Sequence, residues 1–457
     1  MNHPNEDAIL TDSLLSECYD CPIQNLRFPS PPVSTMNPRL HVVIIGAGIV
    51  GAASAFNCLE AGHQVTLVEP GVPGDEQASS YGNAGWLSSH SVLPQAFPGV
   101  WRKVPGWLLD PLGPLSIRLH YFPKALPWLV RYLASAWTHV QVERTARALR
   151  TLLADAPALH QTMADAAGVG YLIERRGVLH AFLSRRHFEK DAWAWEIRRK
   201  EGIEWEELDA TALQAQEPDL SPHYTFGIYA PEAGSCRNPG AYTAALIQYA
   251  QARGARLVRT TATGFRIDEG RLRAVLTTEG EIACDRAVIA AGARAKALAL
   301  MAGDTVPLET ERGYHAVVTS AAVGPHTPTM FADRKVVVTR MEQGLRIAGQ
   351  VEITDADDTP NWKRTEILRE HLLAMYPGLP ANLPAEHIKI WMGCRPSTPD
   401  GLPCIGLASG TADIIHAYGH GHIGLVGSAR TGRLVAQLAS GATPEIPLKP
   451  FSPQRFR

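Results

Sequence analysis

Residues 41–69, HVVIIGAGIVGAASAFNCLEAGHQVTLVE, restrict this chain to very few folds. The apolar run 42–45 is of the kind that forms a strand buried on both faces. Gly46, Gly48 and Gly51 follow as G-x-G-x-x-G, a helix should run to about Ala61, and Gly62 stands where a helix stop belongs. A second apolar run, 65–68, ends on Glu69. Gly46 permits the tight turn off the strand, Gly48 lets the backbone approach a pyrophosphate, and Gly51 lets the helix pack close to the sheet. The helix start at Ile49 and Val50 offers free N–H groups and a positive dipole end to phosphate. Glu69 comes 23 residues after Gly46, placed to accept hydrogen bonds from the hydroxyls of an adenosine ribose. The segment predicts a dinucleotide site and leaves NAD or FAD open.

At 457 residues the chain exceeds one ordinary core, so two domains are expected. A net charge of −2 argues against a nucleic-acid partner, which would call for a basic face. Seven cysteines scattered from Cys18 to Cys404 suit a reducing cytosol better than a disulfide framework. Cys18 and Cys21 form a CxxC with no second pair or histidine nearby, so no metal site is expected. Residues 1–35 carry five acids, one arginine and five prolines, the composition of a disordered extension without a secretory signal. Met36, just ahead of the first strand, is an alternative start. No apolar run reaches the ~18 residues of a membrane-spanning helix.

Along the chain, small residues at 78–89 let the backbone run close to a flat group, with Ser79, Ser80 and Asn83 supplying hydrogen bonds. Residues 92–137 are rich in tryptophan and proline, a wall of a substrate domain with an aromatic–basic character suited to a membrane surface. One helix is expected over 141–167, strands at 171–173 and 178–183, and a helix over 186–201. Asp209 and Asn238 read as N-caps, the latter opening a helix to Arg253 and a strand at 255–259. Turn-punctuated short strands then form a meander that feeds the buried run 286–292. Longer alternating strands at 307–352 make an antiparallel sheet fit to roof a pocket, and 363–376 is helical.

Four segments appear in a telling order: VVIIGAGIVGAASA, SSYGNAG at 79–85, WMGCRPSTPDGLPCIG at 391–406 and YGHGHIGL at 418–425. With them the chain, from Leu40 to its end, resembles the FAD-dependent D-amino acid dehydrogenase and oxidase family, which includes glycine and sarcosine oxidases. The resemblance implies an α/β (α+β) fold, with a Rossmann-like FAD-binding domain in discontinuous segments and an inserted mixed and antiparallel-sheet substrate domain. The segments would be 36–91, 236–300 and 386–457 for FAD, and 92–235 and 301–385 for substrate. It selects FAD as cofactor, held by Gly46, Gly48, Ile49, Val50, Gly51, Glu69, Ser79, Ser80, Asn83, Ala84, Gly85, Thr263, Ala291 and Gly292. The loop residues Gly419, His420, Gly421, His422, Gly424 and Leu425 would face the flavin, where backbone N–H groups stabilise charge developing on reduction.

The implied reaction removes a hydride from Cα of a D-amino acid, leaving an imino acid that water hydrolyses to a keto acid and ammonia. Such a reaction needs a fixed cation on the substrate carboxylate, and Arg395 is the candidate because a guanidinium binds it with two parallel hydrogen bonds. Tyr314, in ERGYH, is the candidate hydroxyl partner, with Arg312 and His315 beside it as weaker ones, and His420 is a candidate for contact with flavin or substrate. Electrons would pass to a quinone or other acceptor, in a cytoplasmic protein with peripheral contact to the inner face of the membrane. A glycine/sarcosine- or hydroxyproline-type oxidase using O2 is the near alternative; a non-catalytic flavin-binding subunit or redox sensor is the alternative of another class.

Overall fold

The apolar runs and glycines of 41–69 fold as their pattern requires. His41–Ile45 is a strand, Ile49–Glu60 a helix and Gln64–Val68 a strand, and the two strands pair in parallel with Ile45 opposite Val68. The computed structural model describes residues 39–110, 113 and 115–457; the expected extension at 1–35 and the Cys18–Cys21 pair lie outside them. Four separated parts of the chain complete one six-stranded sheet in the order Arg256–Val258, Gln64–Val68, His41–Ile45, Arg286–Ile289, Ile414–Tyr418, Cys404–Leu407. Only the last strand runs antiparallel to its neighbour. Val42, Ile44, Val65, Leu67 and Val288 are fully buried within it, as expected of strands covered on both faces. The helix Gly424–Ala439 packs on Ile49–Glu60, with Gly432 directly against the Ala53 carbonyl.

The second sheet has nine strands. Ile388–Ser397, Glu309–Val318, Gly344–Ile353, Val336–Met341, Thr329–Phe331, Val178–Phe182, Phe226–Ala230 and Glu206–Leu208 lie side by side, with Leu115–Ile117 against Gly344–Ile353. One face is covered by the helix Lys363–Met375, whose Leu368 and Leu372 pack with Tyr314, Ala316 and Ile347. The other face carries a directly opposed row, Trp391, His315, Ala348, Val337, Met330 and His180. Directly opposed residues share a face, and five of these six line a large cavity.

Several elements differ from expectation. The helix expected over 141–167 is two, His139–Leu153 and Ala156–Ala166. Asp155 between them takes a left-handed φ of 57°, and Pro157 has no N–H to continue the hydrogen-bond ladder. The helix expected over 186–201 is likewise divided into Arg185–Glu189 and Ala192–Lys200. Tyr171 lies in a 3-10 turn, Gly170–Leu172, ahead of the strand Ile173–Glu174. Ile388–Ser397, grouped with the cofactor segments on sequence, is hydrogen-bonded along Glu309–Val318 in the nine-stranded sheet. The N-caps are as read: Asp209 accepts from the Ala212 N–H at 2.9 Å and Asn238 from that of Ala241 at 3.0 Å. The meander is the three-stranded sheet Ala262–Asp268, Arg271–Thr277 and Gly280–Ala283.

Candidate active site

The cavity has a volume of about 1310 Å³, above the ~300–1,000 Å³ usual for one small ligand. One end is the glycine turn. Gly46, at φ 106°, is wedged so closely that a Cβ would lie 2.5 Å from the Ala290 carbonyl oxygen, which brings the ends of two parallel strands together. Gly48, Ile49, Val50, Thr263, Ala291 and Gly292 line this end with Glu69. The Glu69 carboxylate accepts the Ala47 N–H at 2.9 Å through one oxygen and the Gly71 N–H at 3.0 Å through the other. A carboxylate has about four acceptor sites, so both oxygens keep capacity for hydroxyl donors. Ser80 Oγ takes the Ile49 N–H at 3.0 Å, satisfying one orphan donor of the helix start. Gly51 stands behind the turn, where a Cβ would strike the Gly46 carbonyl; it serves helix packing.

The loop 78–85 is strapped onto the nine-stranded sheet. A Cβ on Gly82 would fall 1.8 Å from the Trp391 ring, and the Trp391 indole N–H donates to the Glu76 carbonyl at 2.9 Å. The buried Arg346 donates to the carbonyls of Tyr81 and Asn83 at 3.2 and 2.6 Å. Ser79 donates to the Cys394 carbonyl. Ser79, Ser80, Asn83 and Ala84 thereby face the cavity, while Gly85 lies off its wall.

At the other end stands Arg395, which lines the cavity with Gly393, Gly421 and His422. Its guanidinium lies over Gly313, where a Cβ would come within 2.1 Å of Nη2; only a glycine leaves room for it. Nη1 donates to the Gln350 carbonyl at 3.3 Å. That carbonyl is presented by a β-bulge at which Gln350 takes φ 62°. Burial draws the Arg395 pKa down while the nearby Glu311 holds it up, and a guanidinium stays charged throughout. Glu311 is the cross-strand partner of Arg395, is 6% exposed, and accepts a hydrogen bond from His422 Nε2 at 3.0 Å. Burial alone would raise the Glu311 pKa; the His422 bond and the Arg395 charge outweigh it and leave it below the usual range. Burial, then Arg395, lowers the His422 pKa against the pull of Glu311, so the pair is a carboxylate and a neutral imidazole. The far reach of the cavity is walled by Trp86, His180 and Arg198.

Four of the expected groups, Tyr314, Arg312, His315 and His420, already carry hydrogen bonds to the protein itself. Tyr314 alternates to the helix-covered face of its strand: its hydroxyl donates to Glu352 at 2.5 Å and accepts the Asn361 N–H at 3.0 Å. Burial and that carboxylate push its pKa up to about 12. Tyr314 still lines the cavity, but its hydroxyl proton is already given to Glu352. Arg312 shares that face, fully buried and bonded to the carbonyls of Asp355, Asp358 and Thr359. His315 faces the cavity side but is stacked on Trp391 at 5.0 Å and bonded to the Gly82 carbonyl. His420 Nε2 meets Thr431 Oγ1 at 3.0 Å, and Thr431 donates its own proton to the Gly427 carbonyl. His420 therefore carries its proton on Nε2, and burial lowers its pKa to about 3; it anchors the last helix. Gly424 and Leu425 line the cavity beside it, and Gly419 turns the loop behind the wall. Glu311 was missed on sequence, although it stands two residues from Gly313 on the same strand face.

Among the described residues no group of three metal-ligating side chains occurs. The donor set fits FAD: a phosphate-ready helix start, a carboxylate with spare acceptor sites, and a cavity continuous from Glu69 to Arg395. Residues 41–438 match the family of FAD dependent oxidoreductases designated DAO. The chain is 60% identical, over 91% of its length and 99% of the relative's, to a D-amino-acid oxidase of Bradyrhizobium diazoefficiens. It is 29% identical to a D-amino acid dehydrogenase of Rhizobium johnstonii, covering 91% of this chain and all (100%) of that one. Among solved structures it resembles glycine oxidase from Geobacillus kaustophilus, with a TM-score of 0.67 at 22% identity over 91% of this chain and 98% of that one. With the glycine turn, the cavity and Arg395 in place, the chain belongs to the DAO family of FAD-dependent oxidoreductases.

Proposed function

We propose that this enzyme dehydrogenates D-amino acids to imino acids, which water hydrolyses to keto acids and ammonia, and that a quinone or other acceptor takes the electrons. FAD, when bound, supplies the acceptor for the Cα hydride. The observation that carries the reading is Arg395, a buried guanidinium held over Gly313 on the cavity wall. It fixes the substrate carboxylate and so orients the Cα–H bond. The 60% identity to a protein named D-amino-acid oxidase supports the choice of substrate class. The test is a panel of D-amino acids, glycine, sarcosine and D-proline analogues, read by flavin bleaching without oxygen; a flavin that none of them bleaches refutes the reading in favour of a flavin-binding subunit. Replacement of Arg395 by Leu is expected to weaken substrate binding by roughly 2–4 kcal/mol with FAD retained. Mixing the reduced enzyme with O2 separates the two electron fates, since fast reoxidation makes it an oxidase.

We also propose that the enzyme docks peripherally on the inner face of the cytoplasmic membrane. No helix of the described residues is long and apolar enough to cross one. On the helix Phe122–Ser135, however, Phe122, Leu126 and Val130 form one stripe that is 42%, 44% and 58% exposed and also borders the cavity mouth. The exposed Trp101 of the helix Val100–Leu109 and the exposed Arg131 next to Val130 add aromatic and basic character, a pattern suited to an anionic lipid surface and a lipophilic acceptor. Co-sedimentation with anionic vesicles that survives a Leu126→Asp, Val130→Asp double substitution would overturn this.

A further inference from the structure

A D-amino acid arrives with its nitrogen as an ammonium, and an ammonium has no lone pair to assist the departure of hydride from Cα. A proton must leave first. We infer that His422, oriented by Glu311, is the base that takes this proton, an assignment that rests on the amino acid reading above.

The argument is one of hydrogen-bond inventory. Glu311 is ionised and can only accept, so the 3.0 Å contact fixes the proton of His422 on Nε2. Nδ1 is then a bare lone pair, and among the described residues no group donates to it. His422 lines the cavity with its side chain 29% exposed, whereas that of Glu311 is 8% exposed. Arg395 and His422 flank the same carboxylate, so a substrate held by its carboxylate on Arg395 brings its nitrogen to the same wall. The groups facing His422 are Glu311, Arg395 and, through Glu311, Tyr132. In the step itself one N–H bond of the ammonium breaks and an Nδ1–H bond forms. The positive charge moves from the substrate nitrogen to the imidazole, against the Glu311 carboxylate. The freed lone pair then forms the C=N bond as the Cα–H pair departs. Glu311 acts through His422 and is a positioning residue, in the same way that a buried carboxylate holds a histidine base in its working tautomer.

His422→Gln preserves an N–H for Glu311 but cannot take a proton. The wild-type enzyme is first shown to be reduced anaerobically by a D-amino acid; if it is not, the functional reading fails rather than this one. In H422Q the flavin-reduction rate at pH 7 should fall by about 10²–10⁴-fold, the usual worth of a general base. It should recover towards wild type in alkali, where the amine arrives neutral, with the visible flavin spectrum unchanged. An unaltered rate at pH 7, or an equal loss at every pH, overturns the assignment. Should H422Q lose its flavin, Glu311→Gln carries the test: the same signature with smaller amplitude is expected, and a pH profile overlaying wild type refutes the role.

Discussion

Gly313→Ala isolates the contact on which the proposed carboxylate binding by Arg395 rests. An alanine Cβ would stand 2.1 Å from Nη2, 2.2 Å from Cζ and 2.4 Å from Nη1 of Arg395. Non-bonded heavy atoms settle near 3.5 Å, so the guanidinium must lift by about 1.4 Å at Nη2. A displacement of about 1 Å at a positioning group costs on the order of 10²-fold in rate, or about 2.7 kcal/mol. The backbone has no reason to object, because Gly313, although it faces the bulge at Gln350, is not among the left-handed glycines. Alanine in place of glycine also trims the entropy of the unfolded chain, worth about 0.4–1 kcal/mol. The expected result is an enzyme that holds FAD, melts no lower than wild type, and has lost about two decades in the ratio of flavin-reduction rate to substrate Kd. Anaerobic stopped-flow reduction across a substrate titration measures it, with a thermal melt beside it. A ratio within about threefold of wild type, under 1 kcal/mol, would show that Arg395 does not hold the carboxylate from its place over Gly313.

Tyr314→Phe should do the opposite: substrate affinity stays, but stability falls by about 1–3 kcal/mol because Glu352 loses a buried donor. Denaturant melts and flavin titrations check the two halves. Asp304 accepts from the Ser409 N–H and hydroxyl and from His416. Burial alone would raise its pKa, but these donors together bring it down to about 2. Since this lies below the ~3.9 of an unfolded aspartate, its stabilisation is complete above about pH 4 and lost as pH falls towards 2. The stability gap between wild type and Asp304→Asn should therefore narrow over that window in pH-dependent unfolding; a constant gap would refute the linkage.

The dinucleotide half was legible because its signals are local. A glycine spacing, a helix start and an acid at fixed distance all lie within residues 41–69, and the short parallel strands are apolar throughout, so face did not need to be decided. The segment WMGCRP singled out Arg395, which the fold brings to the cavity wall. The difficulty lies in ERGYH, where period-two alternation sends Glu311, Gly313 and His315 to one face and Arg312 and Tyr314 to the other. Both sets contain plausible chemistry, and the alternation by itself does not say which face meets the cavity. Gly313 was the usable sign, since a glycine inside a strand marks a close approach by another group. The helix break at Asp155 was signalled by Pro157 and overlooked because the apolar spacing continues across it.

The bulge at Gln350 gives the strand Glu309–Val318 a property that its sequence does not advertise. Below the bulge, Arg312 stands opposite Glu352; above it, Tyr314 stands opposite Gly349, so the neighbouring strand spends one extra residue between them. The count of residues between Glu309 and Tyr314 thus decides which side chains reach the cavity side and which form the network around Glu352. An insertion or deletion of one residue there would exchange the two sets, driving Arg312 and Tyr314 into the active site and Glu311 out of it. Two-residue changes would preserve the parity. A one-residue change in this strand would therefore need a compensating bulge, of the kind the neighbouring strand carries at Gln350, to keep both sets in place.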